Sequence, residues 1–255
     1  MSTPIQTVVG TATRTSLKRL ARIAGVFYLL VAIFGGFSEG FADPSLYVAG
    51  DAAATAGNVI ANPTFVRVAV VAHLADAVFF VLTAVTLYLL LSHVHKHVAR
   101  AMVIAVMLAA GIISVSAVFT FAALHVATDP TYVAAFGAAG ANALVLLLLQ
   151  IEHHGVLAAQ IFFGLWLTPL GYLAYRSGLF PKALGAVLVA ATVSYLGQVL
   201  AAFLVPDVET QIHGFLIIAP LVAEVWMLAY LLVRGVRSEG PAARPAVAGQ
   251  APMEA

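Results

Sequence analysis

The chain has 255 residues, of which 62% are hydrophobic and 9% charged, with a formal net charge of +1. That balance excludes a soluble globular domain and, with no basic patch beside exposed aromatics, nucleic-acid binding. Cysteine is absent, so disulfides, thiolate metal sites and cysteine nucleophiles are excluded, and no Walker-type phosphate loop or Gly-x-Ser-x-Gly elbow is present.

Residues 1–16 are polar and threonine-rich and read as a disordered cytoplasmic N-terminus, followed by the basic cluster Arg14, Lys18, Arg19 and Arg22. The apolar run from Leu20 to Phe41 is long enough to cross the hydrocarbon core and reads as a retained first span rather than a signal peptide, with Glu39 at its far end. Asp51 precedes the alanine-rich run to Ala61 as a helix N-cap would, which predicts a short surface helix. The second span covers Thr64–Ser92 and empties into the loop His93, His95, Lys96, His97 and Arg100. A third span runs from about Ala101 to His125, with small residues that allow close helix contact.

The segment from Asp129 to Arg176 contains two apolar runs, Ala134–Ile151 and Gly155–Tyr175. If both crossed, Arg176 and Lys182 would fall opposite the amino-terminal cluster, against the bias of Lys and Arg toward the cytoplasm. With one crossing, only Arg67 of the twelve Lys and Arg residues lies outside. The expectation is therefore an outer loop and apolar helix over 134–151, lying on the bundle or dipping into it, and then spans at Gly155–Tyr175, Ala183–Val205 and Ile212–Val233. This gives an all-α polytopic membrane bundle over residues 17–234, six transmembrane helices with both termini cytoplasmic, and a disordered cytoplasmic tail over 235–255.

The informative residues are the polar ones inside these spans, because an intramembrane charge is costly and marks a site by default. His73 and Asp76 share one face of the second span, and on ideal helices Asp76 and Glu224 both lie about 18 Å from the outer end. Glu224 and His213 share a face of the last span, where Pro220 frees the Leu216 carbonyl. The functional reading is an outward polar pocket floored by Asp76 and Glu224 and walled by His73, Gln160 and Gln198. Asp76, Glu224 and His73 are its catalytic candidates. Glu39, Arg67, Gln160, Gln198 and His213 are its ligand-binding candidates, with Arg67 pairing to Glu39. For Gln160, Gln198 and Thr83 the bland reading, hydrogen bonding between spans, is preferred. His125, His153, His154 and His213 ring the outer rim, and zinc there is the minor reading, since no recognised ligand spacing joins them.

Three stretches, Arg22-Ile-Ala-Gly-Val-Phe-Tyr-Leu-Leu-Val31, Gly50-Asp-Ala-Ala-Ala-Thr-Ala-Gly-Asn-Val-Ile-Ala-Asn-Pro63 and the run from Phe162 to Gly185, resemble the bacterial membrane family catalogued as domain of unknown function 4386. The resemblance runs from about Lys18 to Arg234 and implies a multi-pass protein of the bacterial cytoplasmic membrane. It also implies an acid near the end of span one, an arginine opening span two and a polar residue before span four. Glu39, Arg67 and Glu152-His153-His154 stand at those places. No activity comes with it.

Three functions fit these features. The first is binding or acid/base processing of a lipid or other lipophilic small molecule. The second is a proton-coupled small-solute carrier using Asp76 and Glu224. The third is a non-catalytic structural or partner-binding protein. The lack of an internal repeat counts against the carrier.

Overall fold

The computed structural model describes residues 5–237, without the side chains of residues 5–15, Glu209, Thr210 and His213. Most of the tail expected over 235–255 thus lies outside the described residues. Within them every regular element is helical: α1 (Ile5–Phe37), a π-turn (Ser38–Ala42), α2 (Asp43–Leu46), α3 (Ala52–Ala61), α4 (Pro63–Leu91), α5 (Lys96–Thr128), α6 (Pro130–Ser177), α7 (Lys182–Leu204), α8 (Pro206–Leu216) and α9 (Ile218–Val233). Six segments are long and apolar enough to cross a membrane: Ser16–Leu46, Pro63–Leu91, Lys96–Thr128, Pro130–Ser177, Lys182–Leu204 and Gly214–Val233.

Prolines open α4, α6 and α8, where the missing N–H is an orphan in any case and φ is already helical. Asp51 caps α3 by accepting from Ala54 N at 2.9 Å, and Asp129 caps α6 through Thr131 N at 2.9 Å. Gly178, at φ 69°, ends α6 in the left-handed conformation that a β-carbon resists.

Three elements differ from the sequence reading. Helix α1 begins at Ile5, within the stretch expected to be disordered, since no proline interrupts it after that point. The 134–151 segment is no separate surface helix but the upper part of α6, broken at Gly137 (φ 71°, ψ 165°) and continuous with the fourth span. Past that break, residues 138–177 would extend about 60 Å at 1.5 Å per residue, about twice the ~30 Å hydrocarbon core. That length suits one crossing by this helix with a projection beyond it, packed against α3 and α5. The last span is also interrupted: Pro220 cannot donate to Leu216, and the helix parts at Ile217 into α8 and α9.

The spans pack as a ring in which α1, α4, α5, α6 and α7 each lie against the next, and α9 closes against both α7 and α1. The last described residues pack beside Lys18 of α1 at one end of it. A β-carbon on Gly235 would lie 3.3 Å from the Lys18 carbonyl, and Arg237 N donates to the Leu179 carbonyl at 2.9 Å. This basic end also carries Lys96, Arg100, Arg176 and Lys182, whereas Arg67 stands at the far end.

Along α4 the layers can be read residue by residue. Val66 belongs to a far-end apolar cluster with Leu46, Val59, Leu124 and Leu149. Phe80, Leu87 and Leu91 belong to the main core, with Met102, Trp166, Leu170 and Leu188. His73 and Asp76, both buried, lie between the two. The opposite side of α4 exposes Val71, Leu74, Val78, Leu82, Val85 and Leu89 at spacings of three and four, an apolar stripe suited to lipid.

Candidate functional site

Two adjoining polar sites occupy this intermediate layer. The first is built around the π-turn, whose wide i→i+5 hydrogen bond runs from Asp43 N–H to the Ser38 carbonyl. Such a turn adds a residue to the helix and re-aims the side chains after it. Asp43 is thereby placed against α4, where His73 Nε2 lies 3.1 Å from Asp43 Oδ1 and 3.9 Å from Glu152 Oε1 of α6. His73 and Glu152 are 1% and 2% exposed. One imidazole N–H satisfies Asp43, but 3.9 Å is beyond hydrogen-bond reach. Glu152 Oε1 has no hydrogen-bond partner among the described residues.

The second site is a cavity of about 170 Å³ inside the ring. Its acids are Glu39 from the π-turn, Asp76 from α4 and Glu224 from α9; its aromatics are Tyr28, Phe80, Phe163, Trp166 and Tyr195; no Lys or Arg lines it. Tyr195 Oη donates to Glu224 Oε1 at 2.7 Å, and Tyr28 Oη to Oε2 at 3.0 Å. The Trp166 ring meets Phe80 and Tyr28 edge-on, with centroids 5.1 and 5.7 Å apart. Asp76 is only 3% exposed, and its Oδ1 has no hydrogen-bond partner among the described residues. Gly35 leaves room for it, since a β-carbon there would sit 3.1 Å from that oxygen. Glu39 lines this cavity from the same π-turn that leads into Asp43, so one turn serves both sites.

Chemically, Glu224 is already engaged by two hydroxyls, whereas Asp76 presents a free acceptor to the cavity. A larger groove of about 550 Å³ runs along Lys18, Arg19, Arg22 and Phe27. It is a surface of α1 alone at the basic end and contains none of these carboxyls.

The structure brings Asp76, Glu224 and Glu39 to one cavity but leaves His73, Gln160 and Gln198 out of its wall. His73 is turned to Asp43 and Glu152 instead. Gln198 is buried, and Gln160 Oε1 is buried without a hydrogen-bond partner among the described residues. Arg67 is exposed and makes no ion pair with Glu39, because the π-turn directs Glu39 inward while Arg67 occupies the opposite, solvent- or lipid-facing side of α4. Thr83 donates to the Phe79 carbonyl of its own helix, not across spans. The interhelical bridge is formed by Thr168 and Thr192, 2.8 Å apart, with Thr192 donating to the Gly164 carbonyl at 3.0 Å.

The rim histidines do not converge. His125 stands 3.8 Å from Asp129, His153 stacks on Tyr47 and His154 Nδ1 lies 2.7 Å from the Gln150 carbonyl. The His213 side chain lies outside the described residues. Asp43, Tyr28 and Tyr195 carry no periodic signal that singles them out. The one local hint is that Asp43 follows a glycine-bearing helix end, Gly35-Gly36 to Gly40.

Fold and sites together define a multi-pass helical membrane protein with an acidic, aromatic cavity between its spans. The chain belongs to the family described as Domain of unknown function (DUF4386), whose model matches residues 23–235. No curated protein and no solved structure matches it.

Proposed function

We propose that the protein acts in the bacterial cytoplasmic membrane as a binder of a small lipophilic molecule that carries a cationic headgroup. The observation that carries this reading is the Asp76 carboxyl, buried with an unpartnered oxygen, in an aromatic cavity that also holds Glu39 and Glu224 and no Lys or Arg. Carboxyls taken out of water need compensation by a cation or by protons. Aromatic faces beside carboxylates suit an organic ammonium group, through attraction to the ring quadrupole.

Size and access support a headgroup rather than a whole lipid. At about 170 Å³ the cavity is below the ~300 Å³ at which sites for drug-sized ligands begin. Ala32, in its wall, is exposed on the outer side of α1, so an alkyl tail has a path toward lipid. The carrier reading gains no support, because the core on the basic side of the cavity is filled by Leu87, Leu91, Leu170, Phe180 and Leu184.

The chain has two tryptophans, Trp166 and Trp226. In Trp226→Phe protein the remaining indole lines the cavity. Choline titrated into this protein in detergent is expected to change Trp166 fluorescence saturably, while its uncharged carbon isostere does not. Asp76→Asn is expected to weaken choline at least tenfold, about 1.4 kcal/mol. Equal responses to choline and isostere, or none to either, would sink the reading and leave protons as the compensating charge.

A further inference from the structure

We propose that Asp43, His73 and Glu152 form a binding site for one divalent transition-metal ion of the Zn²⁺ type, adjoining the cavity but outside its wall. One ligand atom from each of the three lies within 4.8 Å of the others, the one such group of His and acidic residues among those described. With metal–ligand bonds of about 2.0–2.2 Å, neighbouring ligand atoms of a tetrahedral ion stand roughly 3.3–3.6 Å apart. The His73 separations of 3.1 and 3.9 Å straddle that value.

The rival account is a hydrogen-bonded His73–Asp43 pair with Glu152 as a bystander. It leaves Glu152 Oε1 buried at 2% residue exposure with no hydrogen-bond partner among the described residues, which is costly for a carboxylate. A cation at the centre of the three satisfies Asp43, His73 and Glu152 at once. Two carboxylates also offset its charge, and the imidazole favours zinc, manganese or iron over calcium. Three protein ligands leave a coordination position open, as in sites that take water or substrate.

The ligands come from three different elements, α2, α4 and α6, each anchored by the apolar cluster of Leu46, Val66 and Leu149 immediately beyond. This is a held geometry, unlike the exposed His125, His153 and His154.

The test uses tag-free full-length protein in detergent, stripped with a chelator and titrated with Co²⁺, whose visible ligand-field bands report coordination. Wild type is expected to bind one Co²⁺ per chain, displaced by Zn²⁺. Glu152→Gln and His73→Asn should each weaken binding at least 100-fold, while the combined His125→Asn, His153→Asn and His154→Asn protein keeps the wild-type isotherm. Helical circular dichroism identifies any variant that has not folded, and Asp43→Asn then replaces it. Absence of a saturable spectrum in wild type overturns the site, whatever the variants do. So does an unchanged isotherm in folded Glu152→Gln or His73→Asn. The probe is the metal ion alone, so either outcome is independent of the choline result.

Discussion

Glu224 shows how a single carboxyl organises the centre of the ring. Its two oxygens accept from Tyr28 of α1 and Tyr195 of α7, so the side chain ties the first span to the last two. Glu224→Leu would leave two tyrosine hydroxyls without their acceptor, at about 1–3 kcal/mol each. Glu224→Gln keeps one acceptor oxygen and should cost less. Unfolding in detergent measures both, and equal stability of the Leu variant and wild type would show that the hydroxyls have other partners. Asp129 offers a pH test at a site outside the spans. Its hydrogen bonds from Thr131 hold the carboxyl below the usual carboxylate range. A depressed value means the cap contributes above the unfolded carboxylate pKa and is lost only as pH falls through the lower folded value. Amide exchange at the start of α6 is therefore expected to resist mild acid and to accelerate below that range in wild type, with no such acid step in Asp129→Asn. Asp76 and Glu224 stand out in the sequence because each acid interrupts a long apolar window. Asp43 does not, since its inward placement depends on one extra residue in the π-turn, and nothing in the sequence around Tyr28 distinguishes a cavity wall from lipid-facing surface.

Among the helices, α6 and α7 approach backbone to backbone, which gives a physical reason for two glycines of the Phe162–Gly185 stretch. A β-carbon on Gly171 would lie 2.6 Å from the Gly185 carbonyl, and one on Gly185 would lie 2.7 Å from the Gly171 carbonyl. Backbone cannot move aside as a side chain can, so Gly171→Ala or Gly185→Ala must part the helices, with a loss of about 1–3 kcal/mol. Gly155 is an informative control. Its β-carbon would overlap only the Ser116 hydroxyl, which can rotate, and Gly155→Ala should cost under about 1 kcal/mol by the same reasoning. If all three alanines are equally mild in unfolding assays, the α6–α7 contact is looser than described. Helix existence is legible from the apolar runs because each exceeds the bilayer thickness. Helix continuity is less so. The 134–151 run and the fourth span read as two pieces because Glu152-His153-His154 separates them. Yet Glu152 turns inward toward His73, 3.9 Å away, and the helix passes through the polar residues unbroken. The interruption falls at Gly137 instead.

For the whole molecule, the ring fixes which loops share an end, and the distribution of charge predicts which side of the membrane that end faces. The 92–95 turn, the 178–181 turn, Lys18 of α1 and the last described residues lie at the end that carries nearly all the described Lys and Arg side chains, an arrangement that the positive-inside bias assigns to the cytoplasm. The absence of cysteine makes this directly testable, because one introduced thiol reports without background. His93→Cys and Ala183→Cys are expected to react with a membrane-impermeant maleimide only after permeabilisation of spheroplasts, whereas Ala49→Cys and Ala139→Cys react in intact ones. All four positions are exposed. Position 139 is the decisive one, since it lies on the part of α6 that projects past a single crossing. Labelling of 139 from outside together with 183 from inside requires one passage of the membrane between them. The same side for both would require two passages or none, and a full reversal of the pattern would place the acidic cavity's nearer mouth on the cytoplasmic side. In that case any headgroup it receives would have to come from the inner leaflet, and the metal-binding group would draw its ion from the cytoplasm rather than from outside the cell.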